Sequence, residues 1–277
     1  MAGALKVLVV LCIFAATGVG ILFLVKYVKS AGSPAGKGIV VELLGVSAWV
    51  SEQLKEKVYA AVMEYGDEVK LDDNTAVSVQ QNITERVAWL ADVKVQTTHE
   101  GLRIAGRWRK PLALVKSGLR KIYVDSQQVV LDFVAMPNLP IVEIKGLSST
   151  KMPPPGETWQ RDDLAAAVAI LARLERMDEL TTPNKPLLQE IESIDVTNFE
   201  GRKSASRAHI VLFAKDGTEV IWGAEIGTWG QHLEATDEEK LAKLYGYYKE
   251  SGTLLGGAKY INLRDPQDRV PLPIDKY

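Results

Sequence analysis

The sequence predicts an α+β protein of three parts in series: a transmembrane helix, a small β-α-α-β-β unit, and a mainly antiparallel β domain with two helices. Three observations lead there. An uncharged apolar run fills residues 7–25. Over residues 39–110, strand-like alternation brackets two stretches of helical spacing. From Pro111 onward short alternating runs dominate, interrupted by two longer amphipathic stretches. Elements in this order suit two layers, helices packed on a sheet face.

The bulk numbers bound the function. The chain has 277 residues, 47% hydrophobic and 25% charged, enough for one large domain or two modest ones. Its net charge of −2 gives no attraction to nucleic acid, and its six tryptophans are scattered singly, so no base-stacking platform exists. Cys12 is the one cysteine, which excludes an internal disulfide and a cysteine metal cluster.

The run 7–25 lies between Lys6 and Lys26. A helix of that length spans roughly 30 Å, the thickness of a bilayer core. A cleaved signal peptide is the alternative. Its apolar core runs about 7–15 residues, so the length favours an anchor, although small residues follow at 30–36. Lysines flank both ends, and the positive-inside rule leaves the orientation open. Residues 26–38, rich in Gly, Ser, Ala and Pro, read as a flexible tether.

The stretch IVVELLGV (39–46) opens the body as a strand. Ser51 can cap a helix that aligns Leu54, Val58, Ala61 and Val62. Residues 74–90 place Val79, Ile83, Val87 and Leu90 at helical spacing. ADVKVQT and EGLRIAGRW follow as two strands, turning at Glu100-Gly101. Short strands are predicted over 112–134, then a Pro-rich surface connection at 145–157. A helix over 161–177 aligns Leu164, Val168, Leu171 and Leu174, with Asp162 and Asp163 complementing the dipole at its start. Asp216-Gly217 between apolar runs is a type I′ hairpin signal. Over 236–250 a last helix carries a capping box, Thr236 with Glu239, and a buried stripe of Leu241, Leu244, Tyr245 and Tyr248. Near the end the run 258–264 alternates, with Tyr260, Asn262 and Arg264 facing one way and Ile261 and Leu263 the other. Residues 271–277 read as a loose tail.

No catalytic constellation is legible. His99, His209 and His232 stand far apart, in no metal-ligand spacing. No nucleophile elbow, phosphate loop or dinucleotide fingerprint occurs. The expectation is a protein that is not an enzyme and binds no metal, cofactor or small-molecule ligand. Asn82-Ile-Thr84 matches a glycosylation sequon but falls inside a predicted helix.

Several stretches together resemble the bacterial division protein family FtsQ/DivIB. VVELLGVSAWVSEQL is similar to the opening of that family's POTRA domain. AWLADVKVQTTHEGLRIAGRWRKPLALV is similar to its closing strands and its Arg-x-Pro-x-Ala signature, here Arg109, Pro111 and Ala113. YVDSQQVVLD resembles the hairpin that follows, with Gln128 in place of the usual glycine. Leu139, Pro140 and Gly146 resemble the family's Leu-Pro…Gly step, and EKLAKLYGYY with AKYINLRD resembles the late helix and last strand.

The resemblance implies a POTRA-like domain over 39–110 and an FtsQ-like β domain over 111–270. It also implies an inner-membrane protein at the division site, N-terminus cytoplasmic and body outside, anchored in the bilayer through residues 7–25. Such a protein is a non-catalytic divisome scaffold that holds small bitopic partners of the FtsB/FtsL type. A partner segment would add to the last strand by β-augmentation. Tyr260, Asn262 and Arg264 would select it, with Tyr247, Tyr248 and Lys249 as neighbours. Two other classes fit the sequence: a POTRA-bearing envelope protein handling substrate chains in export or assembly, and an envelope hydrolase with scattered catalytic residues.

Overall fold

A computed structural model describes residues 40–64, 71–148, 151–255 and 260–266. The predicted anchor at 7–25, the tether and the C-terminal tail lie outside these residues. Among the described residues no helix is long and apolar enough to cross a membrane. Their architecture is mixed α+β, in two units that meet between Trp108 and Arg109.

The first unit runs β1 (Val40–Leu44), α1 (Glu52–Met63), α2 (Asp73–Arg86), β2 (Leu90–Thr97) and β3 (Gly101–Trp108). Its sheet has the order β1-β3-β2, with β1 parallel to β3 and β2 antiparallel to it. The helices bury the predicted stripes, Leu54, Val58, Ala61 and Val62 on α1 and Val79 and Ile83 on α2. Asp72 caps α2 by accepting the Thr75 N–H at 2.8 Å. Ser51 stands at the N-cap of α1, but its hydroxyl makes no cap bond. Asn82 of the sequon donates to the Ala61 carbonyl, so its amide ties the two helices together. The helix predicted over 74–90 ends early, at Arg86. Val87 takes an extended ψ of 84° and the chain turns through it, so that Leu90 begins β2. The spacing of Val87 and Leu90 fits a helix, but the alternation of Ala91, Val93 and Val95 and the pairing of this segment to β3 override it.

The second unit contains β4 (Pro111–Ser117), β5 (Arg120–Asp125), β6 (Val130–Asp132), β7 (Val142–Lys145), α3 (Asp162–Thr181), β8 (Ile191–Asp195), β9 (Ile210–Ala214), β10 (Glu219–Gly223), α4 (Asp237–Ser251) and β11 (Tyr260–Asn262). All eight strands form one sheet in the order β11-β10-β9-β8-β7-β4-β5-β6. The expected mainly antiparallel sheet is instead mixed: β4/β7, β7/β8 and β10/β11 are parallel. Parallel neighbours need long crossovers; β5 and β6 supply the one from β4 to β7, and the two helices supply the others. α3 carries the chain from β7 to β8 and α4 from β10 to β11. Both crossovers advance the same way between strands of one polarity, so right-handedness puts both helices on one face. The Tyr245 hydroxyl of α4 donates to the Leu174 carbonyl of α3 at 2.8 Å, in keeping with that. Under the helices Leu164, Leu171 and Leu174 meet Ile144, Ile194, Leu212, Trp222 and Ile261 in one core.

Local chemistry shapes the connections. The β9–β10 hairpin is not the predicted type I′ turn, because Gly217 alone has a positive φ (87°). Its amide donates to Ala214 O and the Ala214 amide to Thr218 O, a three-residue loop closed by a left-handed glycine. The β5–β6 turn has the same form with Gln128 at φ 62°. Here Asp125 offsets the strain: its carboxylate accepts the Gln127 and Val129 N–H groups and pairs with Arg109 at 2.8 Å. Two of the motif residues that carry the resemblance, Arg109 and Asp125, are therefore direct partners. The capping box on α4 is present, with both reciprocal bonds between Thr236 and Glu239. Asp163 does more than complement a dipole. It is buried, takes two bonds from Arg161 and one from Arg202.

Candidate functional site

Among the described residues the last strand covers Tyr260–Asn262 of the alternating run and stops before Leu263. It stands at one end of the large sheet and pairs with β10 alone among the described residues. Ile261 and Leu263 are fully buried, whereas Tyr260, Asn262 and Arg264 are half-exposed. Leu263 N–H donates to Ile221 O at 3.0 Å, towards β10. Successive backbone groups alternate, so the Asn262 N–H and carbonyl point to the open side.

The side chains expected to read a partner are partly committed elsewhere. Asn262 Oδ1 accepts the Arg264 N–H at 3.1 Å and finishes the strand. Arg264 Nε donates to Glu234 Oε1 at 2.7 Å, and Lys240 Nζ donates to the other oxygen at 2.7 Å. Lys240 is completely buried over the Trp222 ring. Burial pushes the Glu234 carboxyl up, but Lys240, the Ala224 N–H and Arg264 outweigh it and hold the group below its ordinary value. The chain passes Glu234 closely at Gly223 (φ 100°), where an added Cβ would fall 2.2 Å from the carboxylate. Arg264 is thus a structural cation, not an unengaged recognition residue.

The helix neighbours do not gather at β11. Tyr248 is buried, and its hydroxyl reaches Lys185 O and Glu190 near the start of β8. Burial, with the nearby charges of Glu190 and Asp178, pushes that hydroxyl up to about 12. Tyr248 therefore belongs to the core rather than to an accessible surface. Lys249 is exposed and lines a shallow pocket of about 280 Å³ with Thr181, Asn184 and Lys185. β8 lies three strands from β11, about 14 Å at ~4.8 Å per strand. Tyr247 packs against the core from a half-buried position.

Other residues frame the open edge instead. The segment between β10 and α4 returns to it, where the Ala235 N–H donates to Arg264 O at 2.9 Å. Leu233 there is 89% exposed at φ 55°, and Trp229 is 38% exposed. A bulky residue in the left-handed region stores strain. No sequence signal marks Leu233, because its exposure follows from the loop path.

That same segment closes a cluster the sequence did not suggest. His209 precedes β9, Glu225 follows β10, and His232 follows a 3-10 turn at Trp229–Gln231. His209 Nδ1 lies 3.2 Å from Glu225 Oε1, and the two imidazoles stand edge to face with centroids 4.8 Å apart. Glu225 also accepts the Glu200 N–H and the Thr228 hydroxyl. Burial raises its carboxyl, but backbone N–H groups and His209 more than compensate, leaving it below its ordinary range. No protein-family model matches the chain, and neither does any curated protein.

Proposed function

We propose that this chain is a membrane-anchored, non-catalytic scaffold of the bacterial division machinery, of the FtsQ/DivIB type. The body would lie outside the inner membrane and hold small bitopic partners of the FtsB/FtsL type. One observation carries the reading: β11 ends the sheet with its outward main-chain groups unpaired by any described residue. Such an edge can accept a further strand through backbone bonds. Leu233 and Trp229 beside its end offer apolar contact for the incoming chain. The Arg109–Asp125 pair lends support, since it joins two stretches on which the resemblance rests.

Asn262→Pro is the sharpest test. Proline removes the edge-facing N–H and leaves the β10 ladder in place, as edge strands tolerate. Expected is a loss of partner capture of about tenfold or more, from one lost main-chain bond and the ring's bulk. Stability should fall by only about 1 kcal/mol, for the lost Asn262–Arg264 bond. The measurement is co-purification of a bitopic division partner with the full chain, beside its urea unfolding midpoint. Undiminished capture by a folded proline variant would remove the site.

A second reading, an envelope protein handling substrate chains, draws on β1. That strand is also an edge, and Val40 and Leu44 are exposed there at 58% and 40%. Val40 N–H points inward to Glu100 O, so the Val41 N–H faces out. Capture that survives Asn262→Pro but fails in Val41→Pro would favour it.

A further inference from the structure

We infer that His209, Glu225 and His232 form a binding site for a divalent transition-metal ion, Zn²⁺ by the chemistry of its donors. One ligand atom from each residue lies within 4.8 Å of the others. His209 Nδ1 and Glu225 Oε1, at 3.2 Å, already match the roughly 3.4 Å between neighbouring ligands of a tetrahedral zinc ion. The exposed His232 ring makes the remaining adjustment by rotating.

The donor set selects the metal. Two imidazoles and a carboxylate suit zinc, while an all-oxygen site would suit calcium or magnesium. Glu225 has no lysine or arginine partner among the described residues, and its ionic contact is His209. An ion therefore does not compete with a built-in cation. Surrounding groups orient the ligands as outer partners do in metal sites. The Glu200 N–H and Thr228 hydroxyl hold the carboxylate at 3.3 Å each. On binding, His209 releases to solvent the Nδ1 proton that bonds it to Glu225, keeps a proton on Nε2, and gives the Nδ1 lone pair to the ion.

Backbone geometry points the same way. Glu200 (φ 52°) and Leu233 (φ 55°) are non-glycine residues in left-handed conformations on two segments that meet at the cluster. Strain of this kind persists where the surroundings require it and gathers at ligand sites. Three protein ligands leave a fourth position for water or a partner's donor. The site also has mechanical reach. His232 lies two residues before Glu234, which grips Arg264 beside β11. A bound ion fastens the segment that supports the open edge.

The test uses the full chain carrying Cys12→Ser, purified without a polyhistidine tag. Equilibrium dialysis against Zn²⁺ alone should give one saturable equivalent and raise the thermal midpoint. His232→Ala should weaken that binding by more than about 100-fold, beyond the 10–100-fold of outer-partner changes, and abolish the thermal shift. His99→Ala should bind as the parent does. Because His232 is exposed, its variant should unfold in chelator at the parent midpoint. Absence of a saturable equivalent, or equal affinity in His232→Ala and parent, would overturn the site. If the His232 variant unfolds early in chelator, Glu225→Gln takes its place, with the same two outcomes deciding.

Discussion

Glu234→Ala is expected to destabilise the second unit by about 3–5 kcal/mol, because it leaves Lys240 charged, buried and unpaired. Lys240 is completely buried and its one anionic partner among the described residues is Glu234. Desolvation of an ammonium is costly, and only a close carboxylate offsets it. Arg264 loses its anchor in the same variant, so the end of β11 loosens as well. Joint replacement by Glu234→Leu and Lys240→Met should recover much of the loss, since a packed apolar pair avoids the desolvation cost. Urea unfolding midpoints of the parent and the two variants decide it. A loss below about 1 kcal/mol in Glu234→Ala, the size of one ordinary hydrogen bond, would show that the network is not what holds this end of the sheet. The same group sets a pH dependence. Its folded value lies below the ordinary 4.5, so its contribution is complete above that pH and is lost as the pH falls through the folded value. Burial raises the Asp163 carboxyl, but Arg161 and Arg202 outweigh it and hold it below 3.8, so it adds a second loss of the same sign below that pH.

Asp178→Ala should cost a similar amount, about 3–5 kcal/mol, from stranded buried donors at about 1–3 kcal/mol each. This carboxylate accepts the Leu187 N–H at 2.7 Å, the Leu188 N–H at 3.0 Å, the Thr182 hydroxyl and the Tyr245 hydroxyl. It therefore closes the chain reversal after α3 and clamps α4 to it. Burial and the Asp178 charge push the Tyr245 hydroxyl far up, so it stays a proton donor throughout the ordinary pH range. Asp178→Asn keeps one acceptor oxygen and should lose roughly half as much. Chemical denaturation measures both, and amide exchange at Leu187 and Leu188 reports the local effect. Parental exchange rates there in the alanine variant would refute the assignment.

Much of the fold was legible in local pattern. Helical stripes such as Leu54, Val58, Ala61 and Val62 are buried as spaced, and the capping box at Thr236 forms. Ile261 and Leu263 point inward as their alternation demands. What period cannot carry is partnership. Nothing in residues 142–145 and 191–195 announces that they run parallel, because a crossover forty-odd residues long decides it. Arg264 reads as a surface cation until Glu234 is brought beneath it. Tyr248 serves both a buried stripe and a supposed surface on paper, and only packing settles which. The histidine cluster escaped for the same reason. His209 and Glu225 are sixteen residues apart, united by a hairpin that folds their strands back to back.

The end of β11 has a mechanical meaning. Past Asn262 the chain's own Ala235 takes the Arg264 carbonyl, so an incoming chain finds no rung to climb there. Copies of this chain therefore gain little by stacking edge to edge, and runaway fibre growth from this border is disfavoured. By the same measure, whatever docks here lets go easily unless a second tether keeps it close. Occupancy then follows local concentration more than intrinsic grip.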